Sequence, residues 1–123
     1  MGPGKLNDNL IVTLSFDFGV EAMLFCDKLF SERKYVIANQ LLKAALSIGA
    51  NIREAQNAES IADFIHKMKI SCKEADEAEF YLQLIAKVYK FNEVQSLIKQ
   101  ITSINRVLTK IISTSKQNYS RLK

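Results

Sequence analysis

The chain has 123 residues, of which 48% are apolar and 24% are charged, and this length fits one domain with a single hydrophobic core. Seventeen lysines and arginines against thirteen acidic residues give a net charge of +4, so binding to polyanions is allowed but not required. With only four glycines and one proline, the composition argues against a turn-rich all-β domain and against general disorder. Long helices are what this composition favours.

The N-terminal segment does not resemble a secretory signal, because Lys5, Asn7 and Asp8 interrupt any apolar stretch after Met1. No uninterrupted apolar run approaches the roughly 18 residues that a membrane span needs. We therefore expect a cytoplasmic protein that does not enter a membrane. A single domain over residues 1–123 is predicted, with a disordered N-terminus at 1–8 and a basic C-terminal tail at 116–123.

Apolar residues recur at intervals of three or four in four successive blocks, and each block predicts a helix. The second block predicts a helix from about Tyr35 to Asn57. The third begins after Ser60, whose spacing to Asp63 resembles a capping box, and Asn92 is a candidate cap for the fourth. Four helices of similar length joined by short polar breaks predict an all-α, antiparallel up-down four-helix bundle. The apolar faces of the first and last helices comprise Ile11, Leu14, Phe18, Ala22, Phe25 and Leu29, and Val94, Leu97, Ile101, Ile104, Leu108 and Ile111.

The first helix carries more apolar residues than one bundle can bury. Phe16, Val20, Met23 and Phe30 lie off its main apolar face. Such a surplus on a soluble protein usually marks a surface for a partner, so these four residues are predicted to form a homo-oligomer interface. The alternative is that a wide apolar face lines a thick core.

Positive charge is concentrated towards the C-terminus. Residues 87–123 hold eight basic residues and one acid, Glu93, which makes this segment +7 by count. Helical spacing places Lys99, Arg106 and Lys110 opposite the predicted core face, and together with Lys116 they are our predicted phosphate contacts for RNA or DNA. A solvated surface with a basic tail is the alternative. Replacement of Lys67 and Lys69 on the third helix is expected to matter much less.

Polar residues on the second and third helices suggest a structural network. Asn51 and Glu54 share one face of the second helix, and Lys73 and Glu77 lie four apart on the third. A buried network of these four residues would fix the register of the two helices, and we prefer this role to catalysis.

Catalytic and metal-binding patterns are weak. Cys26 and Cys72 lie far apart without a neighbouring cysteine or histidine pattern, so both are predicted to be packing residues and not metal ligands. Asp63 and His66 have the spacing of a di-metal bundle site, but that site needs a second histidine and this chain has one. We therefore predict no metal, no cofactor and no enzymatic activity.

Three segments carry a family resemblance. The runs SIGANIREA, ADFIHKM and KEADE, which are Ser47 to Ala55, Ala62 to Met68 and Lys73 to Glu77, resemble the four-helix-bundle family named for 23S rRNA intervening-sequence proteins. The resemblance covers about residues 15–85. Ala45-Leu46 and Tyr81 depart from the small polar pair and the tryptophan that are usual in the family.

The resemblance implies a homo-oligomeric ring, expected to be a pentamer. Some relatives are encoded inside insertions in bacterial ribosomal RNA genes, and the family is similar to the accessory protein of diversity-generating retroelements, which binds nucleic acid and a reverse transcriptase. The family name records a gene location and not a ribosomal role. From the sequence we expect a non-enzymatic oligomer that binds RNA or DNA non-specifically, with a reverse transcriptase as a partner implied by resemblance. The alternative is an oligomeric adaptor that binds only proteins.

Overall fold

The computed structural model describes residues 5–122 and consists of four α-helices. Helix α1 spans Lys5–Ser31, α2 spans Tyr35–Gln56, α3 spans Ile61–Val88 and α4 spans Glu93–Leu122. The all-α prediction is confirmed, and α2 ends one residue before the predicted boundary. Residues 1–4 lie outside the described part of the chain, while the helix begins at Lys5, inside the segment that was expected to be disordered. The predicted basic tail forms the last turns of α4 as far as Leu122.

Each helix packs against its two neighbours in the order α1, α2, α3, α4 and back to α1. Three side-chain hydrogen bonds between α2 and α3 show the relative direction of these two helices. The hydroxyl of Tyr81 donates to Gln40, that of Ser71 donates to the carbonyl of Ile48, and the Lys67 ammonium donates to Glu54. The residue number rises along α2 as it falls along α3, so the two helices are antiparallel. The same order holds for α1 and α4, where Lys28 pairs with Glu93 and Glu21 with Gln100.

The core lies along the bundle axis and is built from the predicted apolar faces. All six predicted core residues of α4 are buried, and on α1 only Leu14 remains half-buried. Leu, Ile and Ala dominate the interior, and burial of each large side chain contributes about 1.5–3 kcal/mol relative to exposure. Phe25 packs edge-to-face against Phe91 of the α3–α4 connection, with ring centroids 5.3 Å apart, and closes one end of the core.

The helix ends follow recognisable capping chemistry. The Ser60 hydroxyl accepts a hydrogen bond from the Asp63 backbone N–H at 3.0 Å, which confirms the predicted cap of α3. At the end of α1, the Arg33 N–H donates to the Phe30 carbonyl and the Lys34 N–H donates to the Leu29 carbonyl. This is a Schellman pattern, and its left-handed position is held by Arg33 at φ 63° instead of the usual glycine.

Helix α1 is more apolar than the sequence expectation allowed. Its segment Asn9–Ser31 is long and apolar enough, by length and composition, to cross a membrane, and 33% of the most apolar window is buried within the bundle. The core helix of a soluble protein passes the same test, and α1 packs along both α2 and α4 here. The rest of that window is half-buried or exposed in one chain.

Candidate nucleic-acid interface and assembly surface

The outer face of α4 carries three of the predicted phosphate contacts. Lys99, Arg106 and Lys110 are all exposed, on the side opposite the buried Ile101 and Leu108. At 1.5 Å per residue, these three residues extend over about 16 Å of the helix. We call them the basic face of α4.

Lys116 does not continue this face. It follows Lys110 by six residues, which rotates it by about 120° around the helix and turns it towards α3. There its ammonium group is near that of Lys69, and the proximity and positive charge of Lys116 lower the pKa of Lys69. Lys69 was expected to matter little, and the structure instead places it beside a predicted phosphate contact. The pairing of α3 with α4 brings the two lysines together, and no local sequence signal reveals it.

Carboxylates flank α4 on both sides, and each has a polar partner. Glu21 of α1 accepts a hydrogen bond from Gln100, and Glu79 of α3 accepts one from Asn105 at 3.1 Å. Glu93, the acid in the first turn of α4, has its pKa lowered by its own backbone N–H and by Lys28, whose ammonium lies 3.0 Å from the carboxylate. No carboxylate lies on the outer face of α4 among the residues described, so its cations have no acid on their own helix face.

The predicted polar network does not form. Glu54 pairs with Lys67 at 2.9 Å and not with Lys73, and Asn51 donates to the carbonyl of Ser47 on its own helix. Helix register explains the correction, because Lys73 lies six residues, or about 9 Å, farther along α3 than the partner that faces Glu54. Lys73 is exposed, and Glu77 is half-buried and takes part in none of the ion pairs found in the described region.

Three of the four predicted interface residues border one apolar groove between α1 and α2. Phe16, Val20 and Met23 line this α1–α2 groove of about 300 Å³ together with Leu46. Phe16 is 60% exposed and Met23 is 50% exposed within one chain. Gly19 and Gly49 also line the groove; a side-chain carbon at Gly19 would meet open space, whereas one at Gly49 would contact Ser15 of α1. Phe30 differs, since it is half-buried and packs against the core of its own chain.

The two thiols are not activated. Burial raises the pKa of the Cys26 thiol to about 11, with Asp27 adding to the effect, and its Sγ lies 3.6 Å from the Ala38 carbonyl. Burial and the nearby Asp76 also raise the pKa of Cys72. Thiols of this kind are poor nucleophiles at neutral pH. Within residues 5–122, no group of three or more potential metal ligands is brought together.

A sequence model of the 23S rRNA-intervening sequence protein family matches residues 7–110, which is most of the chain. The chain belongs to this family. Its structure is similar to the crystal structure of a protein of unknown function from the S23 ribosomal protein family of Bacteroides thetaiotaomicron, with a TM-score of 0.83 and 40% sequence identity. The similarity covers 88% of this chain and 99% of that one. A search of curated proteins finds no match.

In this family member, the segments that carry the resemblance serve helix pairing. Ser47 to Ala55 lies on α2 and Lys73 to Glu77 on α3, and the hydrogen bond from Ser71 to the Ile48 carbonyl, 2.9 Å long, lies between these helices. Tyr81, which departs from the family pattern, donates to Gln40 at 3.2 Å. The basic face of α4 lies outside these segments, so the resemblance assigns it no role.

Proposed function

We propose that this member of the 23S rRNA-intervening sequence protein family is a non-enzymatic, cytoplasmic homo-oligomer that binds the phosphate backbone of RNA or DNA through α4. The observation that carries the proposal is the basic face of α4, on which no acid lies among the described residues. Lys99, Arg106 and Lys110 are exposed in one row, and on another side of α4 the positive charge of Lys116 lowers the pKa of Lys69.

Like charges held close together raise the free energy of the folded protein, and an anion between them removes that cost. A nucleic acid supplies phosphates at regular intervals, and each phosphate neutralised by a lysine or arginine releases a counterion. The binding would be non-specific, because contacts to phosphate carry no direct sequence information.

Assembly is supported by the apolar surface of α1 and α2. Phe16, Val20, Met23 and Leu24 of α1 are between 43% and 66% exposed in one chain, and this apolar surface needs a cover in water. We assign that cover to further copies of this chain, packed against the α1–α2 groove, and the family resemblance suggests five copies. Repetition of α4 around a ring would multiply the phosphate contacts.

A non-enzymatic role is supported by the raised thiol pKa values and by the exposure of His66, whose one imidazole has no second histidine to complete a di-metal site. Both cysteines are free, which fits a reducing cytoplasm. A reverse transcriptase remains a partner suggested by the resemblance alone.

The decisive experiment measures binding of a fluorescent 20-base-pair DNA duplex by anisotropy at increasing salt. The logarithm of the binding constant should fall with the logarithm of salt concentration, with a slope of about −0.9 for each phosphate contacted. Replacement of Lys99, Arg106 and Lys110 together by glutamate should abolish binding while helicity and mass stay unchanged. A control with Lys43→Glu, at an exposed cation of α2 outside the α1–α2 groove, should reduce binding much less.

The second candidate function is an adaptor that binds only proteins. The exposed apolar surface around Phe16 and Met23 favours it as much as it favours self-assembly. Absence of duplex binding at about 50 mM salt, where phosphate contacts are strongest, would leave the adaptor as the better description.

A further inference from the structure

A second groove lies at the end of the bundle where α1 turns into α2, away from the α1–α2 groove. It has a volume of about 490 Å³ and is bordered by the α1–α2 turn, the start of α2 and the end of α3. None of the described residues that line it is acidic. Its polar and aromatic lining includes Arg33, Lys34, Tyr35, Gln40, Tyr81 and Tyr89. We call it the tyrosine groove, since three of the four tyrosines in the chain meet there.

The turn after α1 places two cations, Arg33 and Lys34, in the lining of the tyrosine groove. Arg33 holds a left-handed conformation that glycine adopts at much lower cost, and it takes part in none of the ion pairs found within residues 5–122. The ammonium of Lys34 lies 4.6 Å from the centroid of the Tyr89 ring and 3.5 Å from a Glu32 carboxylate oxygen. One cation is thus packed on an aromatic ring, and the other remains available to an anion.

The aromatic rings are held in different ways. Tyr89 packs edge-on against Phe91 with ring centroids 6.0 Å apart, and the hydroxyl of Tyr81 donates to Gln40. Tyr35 is 54% exposed, so part of its ring faces solvent. Tyrosine rings, one of them largely exposed, beside the cation of Arg33 are the combination that proteins use for an unpaired base and its phosphate.

We infer that the tyrosine groove binds one unpaired nucleotide of a single-stranded nucleic acid, with its base against the tyrosine rings and its phosphate at Arg33. The choice of a strand over a free nucleotide rests on the proposed function. The groove is open to solvent and would cover little of a free nucleotide, whereas a strand that also contacts α4 gains a second point of attachment. The protein then prefers single strands to duplexes, because a duplex keeps its bases stacked away from the groove.

The test compares a fluorescent 12-nucleotide polyuridine RNA with a 20-base-pair duplex, using the full chain at about 50 mM salt. The variant combines Arg33→Gly with Tyr35→Ala. Glycine suits the backbone at position 33, and Tyr35 is half exposed, so the fold should persist. We expect affinity for the RNA to fall at least about fivefold, as for loss of one stacked base, while duplex affinity changes less than twofold. The control combines Lys43→Ala with Leu24→Ala, which removes an exposed cation and a large exposed apolar side chain outside the groove.

The outcomes separate this inference from the proposed function. If the groove variant loses RNA and duplex binding equally, or loses neither, the tyrosine groove does not bind a nucleotide. The proposed role of α4 is then unaffected. RNA binding that depends on Arg33 and Tyr35 in a protein that does not bind duplex supports the groove and removes the role of α4. Binding of uridine monophosphate as tight as that of the RNA would show a free-nucleotide site and overturn the choice of a strand. No binding of any nucleic acid overturns both.

Discussion

Lys69 of α3 lies near Lys116 of α4, although the two lysines are 47 positions apart in the sequence and carry the same charge. This proximity lowers the pKa of Lys69, which means that the fold disfavours its charged form. Two residues earlier on α3, Lys67 has its pKa raised by a hydrogen bond to Glu54 and by the charge of that carboxylate. Two lysines of one helix thus have pKa values that are shifted in opposite directions.

The first prediction concerns this lysine pair. Since the folded pKa of Lys69 is depressed, its destabilising effect is present at pH values below that pKa and disappears as pH rises through it towards the unfolded value of 10.5. At pH 7 and low salt, Lys69→Gln should therefore melt at a higher temperature than the wild type, as followed by circular dichroism. The gain should shrink at 1 M salt, where the Debye length is only about 3 Å.

Lys67→Gln is the control, because Lys67 lies two residues from Lys69 on α3, is half-buried and pairs with an acid. It should lower the melting temperature slightly. A lower melting temperature for Lys69→Gln at low salt would contradict the repulsive contact.

The second prediction concerns Lys73, which is exposed and lies beyond the reach of Glu54. Lys73→Met should change the free energy of unfolding by no more than about 0.5 kcal/mol, as for an ordinary surface position. Urea unfolding measures this directly. A loss of about 3 kcal/mol or more would mean that a carboxylate had lost a buried partner, and the register of α2 and α3 would then be wrong.

A third prediction compares two buried serines. Ser115 has no hydrogen-bond partner for its hydroxyl among the described residues, whereas the Ser71 hydroxyl donates to the Ile48 carbonyl at 2.9 Å. Ser115→Ala should leave stability unchanged or raise it, because it removes a buried unsatisfied group, and Ser71→Ala should cost about 1 kcal/mol. Chemical denaturation of both variants gives the comparison. A large loss at Ser115 would show that its hydroxyl is bonded in solution.

The fourth prediction concerns assembly through the α1–α2 groove. Light scattering of the wild type should give a mass several times 13.9 kDa, and Phe16→Glu with Met23→Glu should reduce it to the mass of one chain. Because both side chains are at least half exposed in a single chain, helicity should persist. Leu122→Glu, at an apolar residue that is 73% exposed at the end of α4, is the control and should leave the mass unchanged. If the wild-type protein is a monomer at tens of micromolar, the proposed homo-oligomer is wrong.

The sequence by itself determined the helices and their inward faces. Apolar residues three and four apart can share a core only on a helix, so the period alone placed Val94, Ile101 and Leu108 inside and Lys99 and Arg106 outside. The cap at Ser60 was equally local, since the hydroxyl and the N–H that it accepts from are three residues apart.

Only the tertiary structure decided which residues meet across helices. Lys67 and Lys73 are six residues, or about 9 Å, apart along α3, so the position of α3 relative to α2 decides which of the two lysines pairs with Glu54. Sequence spacing does not fix that register. The register of α3 against α4 brings Lys69 near Lys116, and the turn after α1 brings Arg33 to the same groove as Tyr81 of α3 and Tyr89 just after it. Helical periodicity is a property of neighbouring residues, whereas register results from the packing of whole faces, so the first can be read along the chain and the second cannot.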